Sequence, residues 1–243
     1  MTVPAAARVL DLIEAFSKRR RPMSISALAK AMGLPASSCH GLVKTLEDRG
    51  YLVNLKDQGG YYFTKRLEQH ALRIGGFNPL PSWVGPELER VRDEADETAL
   101  LAKLSGSSAV YIEVLESEQS VRYIAQVGDL RPLYASAAGK ALVGALAPEE
   151  RAAVLDRIAL VERNPNTIVS RELLERDLAT SAARGWYMTK GEFLPGVTAV
   201  SAPFQLDDEL YAIVVAGPSN RMEARLDVHV GLVKNFARRA ALS

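Results

Sequence analysis

Cysteine is almost missing from this chain. Cys39 stands alone among 243 residues, so no disulfide can form within it. Histidine is nearly as scarce: His40, His70 and His229 lie far apart, and with one cysteine they form no cluster spaced to hold zinc. No apolar run approaches the roughly 20 residues that span a bilayer, so no membrane partner is expected. The start, MTVPAAARVLDL, has no basic stretch followed by an apolar core and a cleavage site. No secretory leader is expected there, and the cytoplasm is the expected compartment.

Catalytic signatures are missing as well. Gly106-Ser107-Ser108-Ala109 does not fit the Gly-x-Ser-x-Gly turn that exposes a nucleophile. Ala138-Gly139-Lys140-Ala141 is like the end of a phosphate-binding loop. That loop needs glycine at position 134 and serine or threonine at 141, where this chain has Tyr134 and Ala141. Lys190 and Glu192 carry acid–base groups, but with no nucleophile or metal beside them they read as a salt bridge or surface charge. No metal, no cofactor and no enzymatic activity are expected.

What is present is an ordinary globular composition, 48% hydrophobic and 24% charged. The net charge of +1 conceals a split. Residues 1–76 carry 12 Lys and Arg against 6 Asp and Glu, a balance of +6. The remaining residues carry 18 against 23, a balance of −5. A basic first third suits contact with phosphates, and an acidic remainder does not.

The first third is punctuated as helix, turn, helix and hairpin. Val9, Ile13 and Phe16 share one helical face, which the run Lys18-Arg19-Arg20-Arg21-Pro22 ends. Ser26 is the expected cap of the next helix, with Leu28, Ala29 and Met32 apolar. Gly33 suits the left-handed position after it, and Pro35 the first turn of the helix that follows. In that helix, over 35–49, Cys39, Leu42, Val43 and Leu46 fall at core spacing. Ser37, Ser38, His40, Gly41, Lys44 and Thr45 lie opposite, where short polar or basic groups reach base edges and phosphates. Segments 51–53 and 61–63 then read as a hairpin around Gly59-Gly60, with Lys56 near its tip. The order is that of a winged helix-turn-helix, whose second helix enters the major groove. The candidate DNA contacts are Ser26, Ser37, Ser38, His40, Lys44, Thr45 and Lys56.

The rest reads as an α+β domain with an antiparallel sheet. A helix over 64–76, with Leu67, Ala71 and Ile74 on one face, ends at Gly75-Gly76-Phe77-Asn78-Pro79 and serves as linker and hinge. Helices are expected over 82–98, from 134, over 149–157 and 171–184, and from 222 to 240. Strands are expected at 100–104, 109–115, 121–126, 186–190, 198–204 and 211–216. The expected domains are 1–64, the linker 65–79, and 80–243.

Several of these pieces resemble the IclR family of bacterial transcriptional regulators. In the first domain the resemblance rests on Val9-Leu10-Asp11-Leu12, Ser24-Ile25-Ser26-Ala27-Leu28-Ala29, Gly33-Leu34-Pro35, Leu42-Val43-Lys44-Thr45-Leu46 and Gly50-Tyr51-Leu52. In the second it rests on Glu97-Thr98-Ala99-Leu100-Leu101, Arg131-Pro132-Leu133-Tyr134 running into Ala135-Ser136-Ala137-Ala138-Gly139-Lys140-Ala141, Gly185-Trp186-Tyr187, Glu192, Gly196-Val197, Ala202-Pro203 and Ala216-Gly217-Pro218. Together these cover nearly the whole chain. One departure stands out: the family usually has arginine where this chain has Gly41.

The resemblance implies a DNA-binding regulator controlled by a small molecule held in a GAF-like domain. It implies that the backbone N–H groups of Ala137 and Ala138, at a helix start, take a carboxylate. The side chains around it fall at Thr189, Ala199, Val214 and Ala216, with Leu142 and Val197 completing the wall. Family members that bind small acids carry an acid, a cysteine and two serines at the first four. The change implies a drier, roomier pocket and a larger effector with an apolar or aromatic body and a carboxylate. The expected partners are a pseudo-palindromic double-stranded DNA operator, the effector, and further copies in a homodimer or homotetramer. The alternative is a dimeric DNA-binding protein whose second domain only oligomerises.

Overall fold

The computed structural model describes residues 3–77 and 80–242. The chain divides into two compact units, residues 1–80 and 81–243. Asn78 and Pro79 of the expected hinge lie outside the described residues.

The first unit begins with α1 (Pro4–Arg19), α2 (Ile25–Met32) and α3 (Ala36–Asp48). The two-stranded sheet of β1 (Leu52–Leu55) and β2 (Gly60–Phe63) follows, and then α4 (Lys65–Gly75). Leu12, Phe16, Leu28, Cys39, Val43 and Leu46 close one core. Apolar residues three and four apart make one helical stripe, and each of the three helices turns its stripe inward. The cap of α2 is Ser24 and not Ser26. The Ser24 hydroxyl accepts from the Ala27 N–H, and Ser26 is the second residue of the helix, bonded to the Ser24 hydroxyl. Pro35 is the cap of α3 and lies outside its first turn. A short 3-10 turn at Lys56–Gln58 forms the wing tip. Gly60, at φ 140°, passes so close to Met23 that a Cβ there would sit 2.3 Å from its carbonyl oxygen. In α4, Leu67 is half-buried while Ala71 and Ile74 are exposed, so the apolar face expected there is only partly covered within this unit.

The second unit holds α5 (Val84–Ala95), β3 (Thr98–Ser105), β4 (Ser108–Leu115), β5 (Leu130–Pro132), α6 (Ala137–Ala145), α7 (Pro148–Leu155) and α8 (Arg171–Arg184). It ends with β6 (Tyr187–Lys190), β7 (Val197–Leu206), β8 (Glu209–Pro218), α9 (Ser219–Ala224) and α10 (Leu226–Ala240). The six strands run in the order β5-β4-β3-β8-β7-β6, each antiparallel to its neighbours. The central strands β3 and β8 are buried over consecutive residues, which requires cover on both faces. Leu100, Ala102, Val214 and Ala216 join the core with α6 and α8. Alternation sends Ala99, Leu101, Ile213 and Val215 to the other face, and α5 and α10 pack against β3, β7 and β8.

Three expectations fail here for physical reasons. Residues 121–126 form no strand, and the sheet edge is β5 instead. Their backbone bonds to side chains and a turn: Thr98 Oγ1 donates to the Tyr123 carbonyl, Arg221 to the Val121 carbonyl, and Gln126 N–H to Asp129. The final helix is broken at Arg225 (φ −124°, ψ 30°), whose guanidinium binds the carbonyls of Glu94 and Ala95. The helix expected from 134 starts at Ala137, with Ser136 as its cap.

Candidate functional site

The predicted DNA contacts lie on the first unit's surface. In α3, Ser37, His40, Gly41, Lys44 and Thr45 are exposed and Ser38 is half-buried. Positions 37, 40, 41, 44 and 45 share one helical face. Two of these side chains already have partners. Lys44 Nζ lies 3.3 Å from Glu47 and 2.9 Å from Asp48, and these carboxylates raise its pKa. Thr45 Oγ1 donates to the Gly41 carbonyl at 2.8 Å, which leaves its oxygen to accept. Lys56 sits at the wing tip and Ser26 on exposed α2. The sequence reading did not bring together Arg19, Arg21 and Lys30, which line one groove with Ser24 and the wing residues Gln58 and Gly59. Cys39 is fully buried in this unit's core, and burial raises its thiol pKa.

The second unit encloses a small cavity beside the start of α6. Ala137, Ala138, Thr189, Val197, Ala199, Val214 and Ala216 all line it. Leu142 does not: it is fully buried more than a turn further along α6, inside the core. The cap of α6 sets the floor. The Ser136 hydroxyl accepts from the Gly139 N–H and donates to the Pro132 carbonyl. Ala137 and Ala138 therefore keep their N–H groups, the first two of the helix, free to face a ligand. Gly139 is required here, since a Cβ would fall 2.4 Å from Leu133 Cα.

Tyr111, Tyr123, Arg131, Phe193 and Leu194 also line the cavity and were not anticipated. A bulge between β3 and β4 skips Ile112, next to Tyr111. The Tyr111 and Tyr123 hydroxyls lie 3.3 Å apart, and Arg131 Nε donates to the Tyr123 hydroxyl at 3.1 Å. The Arg131 guanidinium stacks over the rings of Tyr111 and Phe193 and pairs with Asp129. Burial is the largest single influence and opposes its charge, but the bond to Tyr123 and the pull of Tyr123, Tyr111 and Asp129 together outweigh it, and its pKa is raised. Burial likewise pushes the Tyr111 phenol well up, so it stays protonated.

These groups overturn the expectation of a drier, roomier pocket. The cavity has a polar, cationic end, and its volume is about 30 Å³, enough for one or two water molecules. Rings from β4, from the 116–129 segment and from the 191–196 loop fill the space that the small residues on β7 and β8 leave.

Below the cavity, Lys140 is fully buried with its Nζ 2.8 Å from both Asp177 and Glu192. Only the Glu192 contact is aligned as a hydrogen bond. Burial raises the Glu192 pKa against the pull of Lys140. Lys190 pairs instead with Glu223, so Lys190 and Glu192 do not act together. Among the described residues, no cluster of His, Cys, Asp and Glu is placed to hold a metal, and no helix is long and apolar enough to cross a membrane.

The family model for the IclR helix-turn-helix domain matches residues 5–55, and that for the bacterial transcriptional regulator IclR C-terminal domain matches residues 79–241. The chain belongs to the IclR family of transcriptional regulators. Its relatives include the HTH-type transcriptional repressor AllR of Escherichia coli, 28% identical over 96% of this chain and 88% of that protein. The HTH-type transcriptional regulator XynR of Escherichia coli is 27% identical over 83% of this chain and 80% of that protein. Among solved structures, an IclR homologue from Microbacterium hydrocarbonoxydans complexed with 4-hydroxybenzoate is 25% identical, with a TM-score of 0.67 over 96% of this chain and 98% of that one. This IclR-family protein is thus a regulator of transcription and not an enzyme.

Proposed function

We propose that this regulator binds an inverted-repeat operator through α3 and the wing and responds to a carboxylate with an apolar or aromatic body. The observation that carries the effector class is the pair of N–H groups at Ala137 and Ala138, opening onto a cavity walled by Tyr111, Tyr123 and Phe193. A helix start favours an anion, and aromatic walls suit a ring. The relative complexed with 4-hydroxybenzoate supports the same class. Thr189, Val197, Ala199, Val214 and Ala216 complete the wall.

On the DNA side, Ser37, His40 and Thr45 face the bases, with Ser38 at the edge of that face and Lys44 reaching a phosphate. Ser26, Lys56 and the groove of Arg19, Arg21 and Lys30 meet phosphates. The exposed Leu72, Ile74 and Phe77 (70%, 77% and 78%) support association with further copies, which light scattering would size.

A thermal-shift screen of benzoate, 4-hydroxybenzoate, pyruvate and glyoxylate tests the effector class. Aromatic acids should raise the melting temperature. Stabilisation by the small 2-oxo acids alone would overturn the class. No stabilisation by any acid would favour a second domain that only oligomerises. Selection of genomic fragments at about 150 mM salt, where phosphate-only binding is weak, tests the operator. Inverted half-sites should be recovered, and random fragments would overturn specific recognition.

A further inference from the structure

The cavity is too small for the ligand its walls suit, so something must move to admit one. Phe193 is the wall on the side of a second, outer groove. That groove is lined by Arg131, Arg157, Arg163, Ser107, Ser108 and Tyr134, among others. Phe193 and Arg131 line both the groove and the inner cavity. The Phe193 ring has the Arg131 guanidinium 5.1 Å from its centre and that of Arg163 5.0 Å away.

The charge of the groove has one sign. Three guanidinium groups line it and no carboxylate does. Asp129 offsets part of Arg131, while Arg157 and Arg163 are exposed and, among the described residues, have no carboxylate partner. A cleft of one charge concentrates ions of the other. The backbone beside Phe193 is fixed. Lys140 holds the Glu192 side chain, and Asn164 Nδ2 and Thr167 Oγ1 donate to the Glu192 carbonyl. The ring can therefore turn on an anchored stem, while Gly191 and Gly196, both at positive φ, flank the loop.

We propose that the outer groove is a receiving site for organic carboxylates and that Phe193 is the gate through which they pass to the inner cavity. The proposal rests on the reading of the cavity as the effector site, and its test does not need the natural effector. Val214 lines the cavity and is almost fully buried, so Val214→Cys in the full chain reports access. Its labelling is timed with an anionic and a cationic methanethiosulfonate of similar size. The wild-type protein is the blank, because Cys39 is fully buried.

Val214→Cys should label slowly. Adding Phe193→Ala should speed both reagents by about tenfold or more, as loss of a lid does. Adding Arg157→Gln and Arg163→Gln should slow the anionic reagent several-fold relative to the cationic one. Phe193→Leu, which keeps an apolar side chain and loses both guanidinium–ring contacts, should act in the same direction as Phe193→Ala if the latter melts early. Unchanged labelling in folded Phe193 variants would overturn the gate. An unchanged ratio of the two reagents in the arginine variant would overturn the receiving site. If no acid stabilises the protein while labelling behaves as expected, the effector class fails and the gate stands.

Discussion

The first unit carries its candidate site outside its core, while the second builds its site out of its core. None of the candidate DNA contacts belongs to the cluster around Leu12, Phe16 and Val43. In the second unit, Tyr111, Tyr123, Ala135, Ala138, Val214 and Ala216 are at once core and cavity wall. A surface side chain can therefore change affinity for DNA with little change in stability. A cavity residue cannot be changed without touching both. The same fusion gives a ligand leverage, because anything that binds the folded cavity stabilises the packing around it.

The sharpest contrast is expected at Lys140. Replacing it with methionine leaves buried Glu192 and half-buried Asp177 without their cation, which costs about 3–5 kcal/mol. Without Lys140 the Glu192 carboxyl, already raised by burial, should move further up. A carboxyl raised in the folded state stabilises while protonated and destabilises as pH rises through its folded pKa. Urea denaturation should therefore show a deficit that is full at pH 7.5 and smaller at pH 5. A deficit independent of pH would mean that packing, and not charge, makes Lys140 important.

Next in size is a matched pair of caps. Ser24 caps α2 on the exposed side of the first unit, and Ser136 caps α6 inside the second. Ser24→Ala should cost about 1 kcal/mol, as an exposed cap does. Ser136→Ala strands the buried Gly139 N–H and the Pro132 carbonyl, so about 2 kcal/mol is expected. It should also weaken stabilisation by aromatic acids, because the N–H groups it orients are those offered to the carboxylate. Equal costs, with ligand response intact, would break the distinction between the two units.

The two units also differed in how far a linear reading reached. The core face of α3 could be read from Cys39, Val43 and Leu46, because helical spacing ties sequence directly to a face. The second unit's helices α7 and α8 and most of its strands were legible for the same reason. Residues 121–126 were not, because alternation reports which side chains are buried and says nothing about whether the backbone finds a ladder. Ala137 and Ala138 could be placed by the resemblance. Tyr111 and Phe193 could not, since their meeting depends on the strand order β5-β4-β3-β8-β7-β6. Arg131 stood in a quoted motif, yet nothing in one sequence shows that its guanidinium reaches Tyr123. Leu142 failed because one turn of helix is enough to pass from cavity wall to core.

Smaller effects belong to α3. Lys44 is bracketed by Glu47 and Asp48, so meeting a phosphate requires it to leave them. Lys44→Ala should lower affinity nearly uniformly across operator sequences and reduce the slope of log affinity against log salt by about one. An unchanged slope would show that Lys44 stays with its own helix and that the basic groove of Arg19, Arg21 and Lys30 meets the backbone alone.

Gly41 is expected to have the least effect on stability and a large one on sequence choice. It lies in the middle of α3, exposed, and a Cβ there would meet nothing within 4 Å. Arginine should therefore fit without strain and stabilise the helix by up to about 1 kcal/mol. Its side chain would project from the face that carries His40 and Lys44, where a guanidinium reads guanine edges. Gly41→Arg should thus leave the melting temperature unchanged or slightly raised and move base preference at one or two operator positions. Selection from a random-sequence pool by the two proteins would show it. Identical preferred sites would mean that this face of α3 does not read bases at position 41, and the contrast between an outside site and an inside one would then rest on the neighbouring side chains.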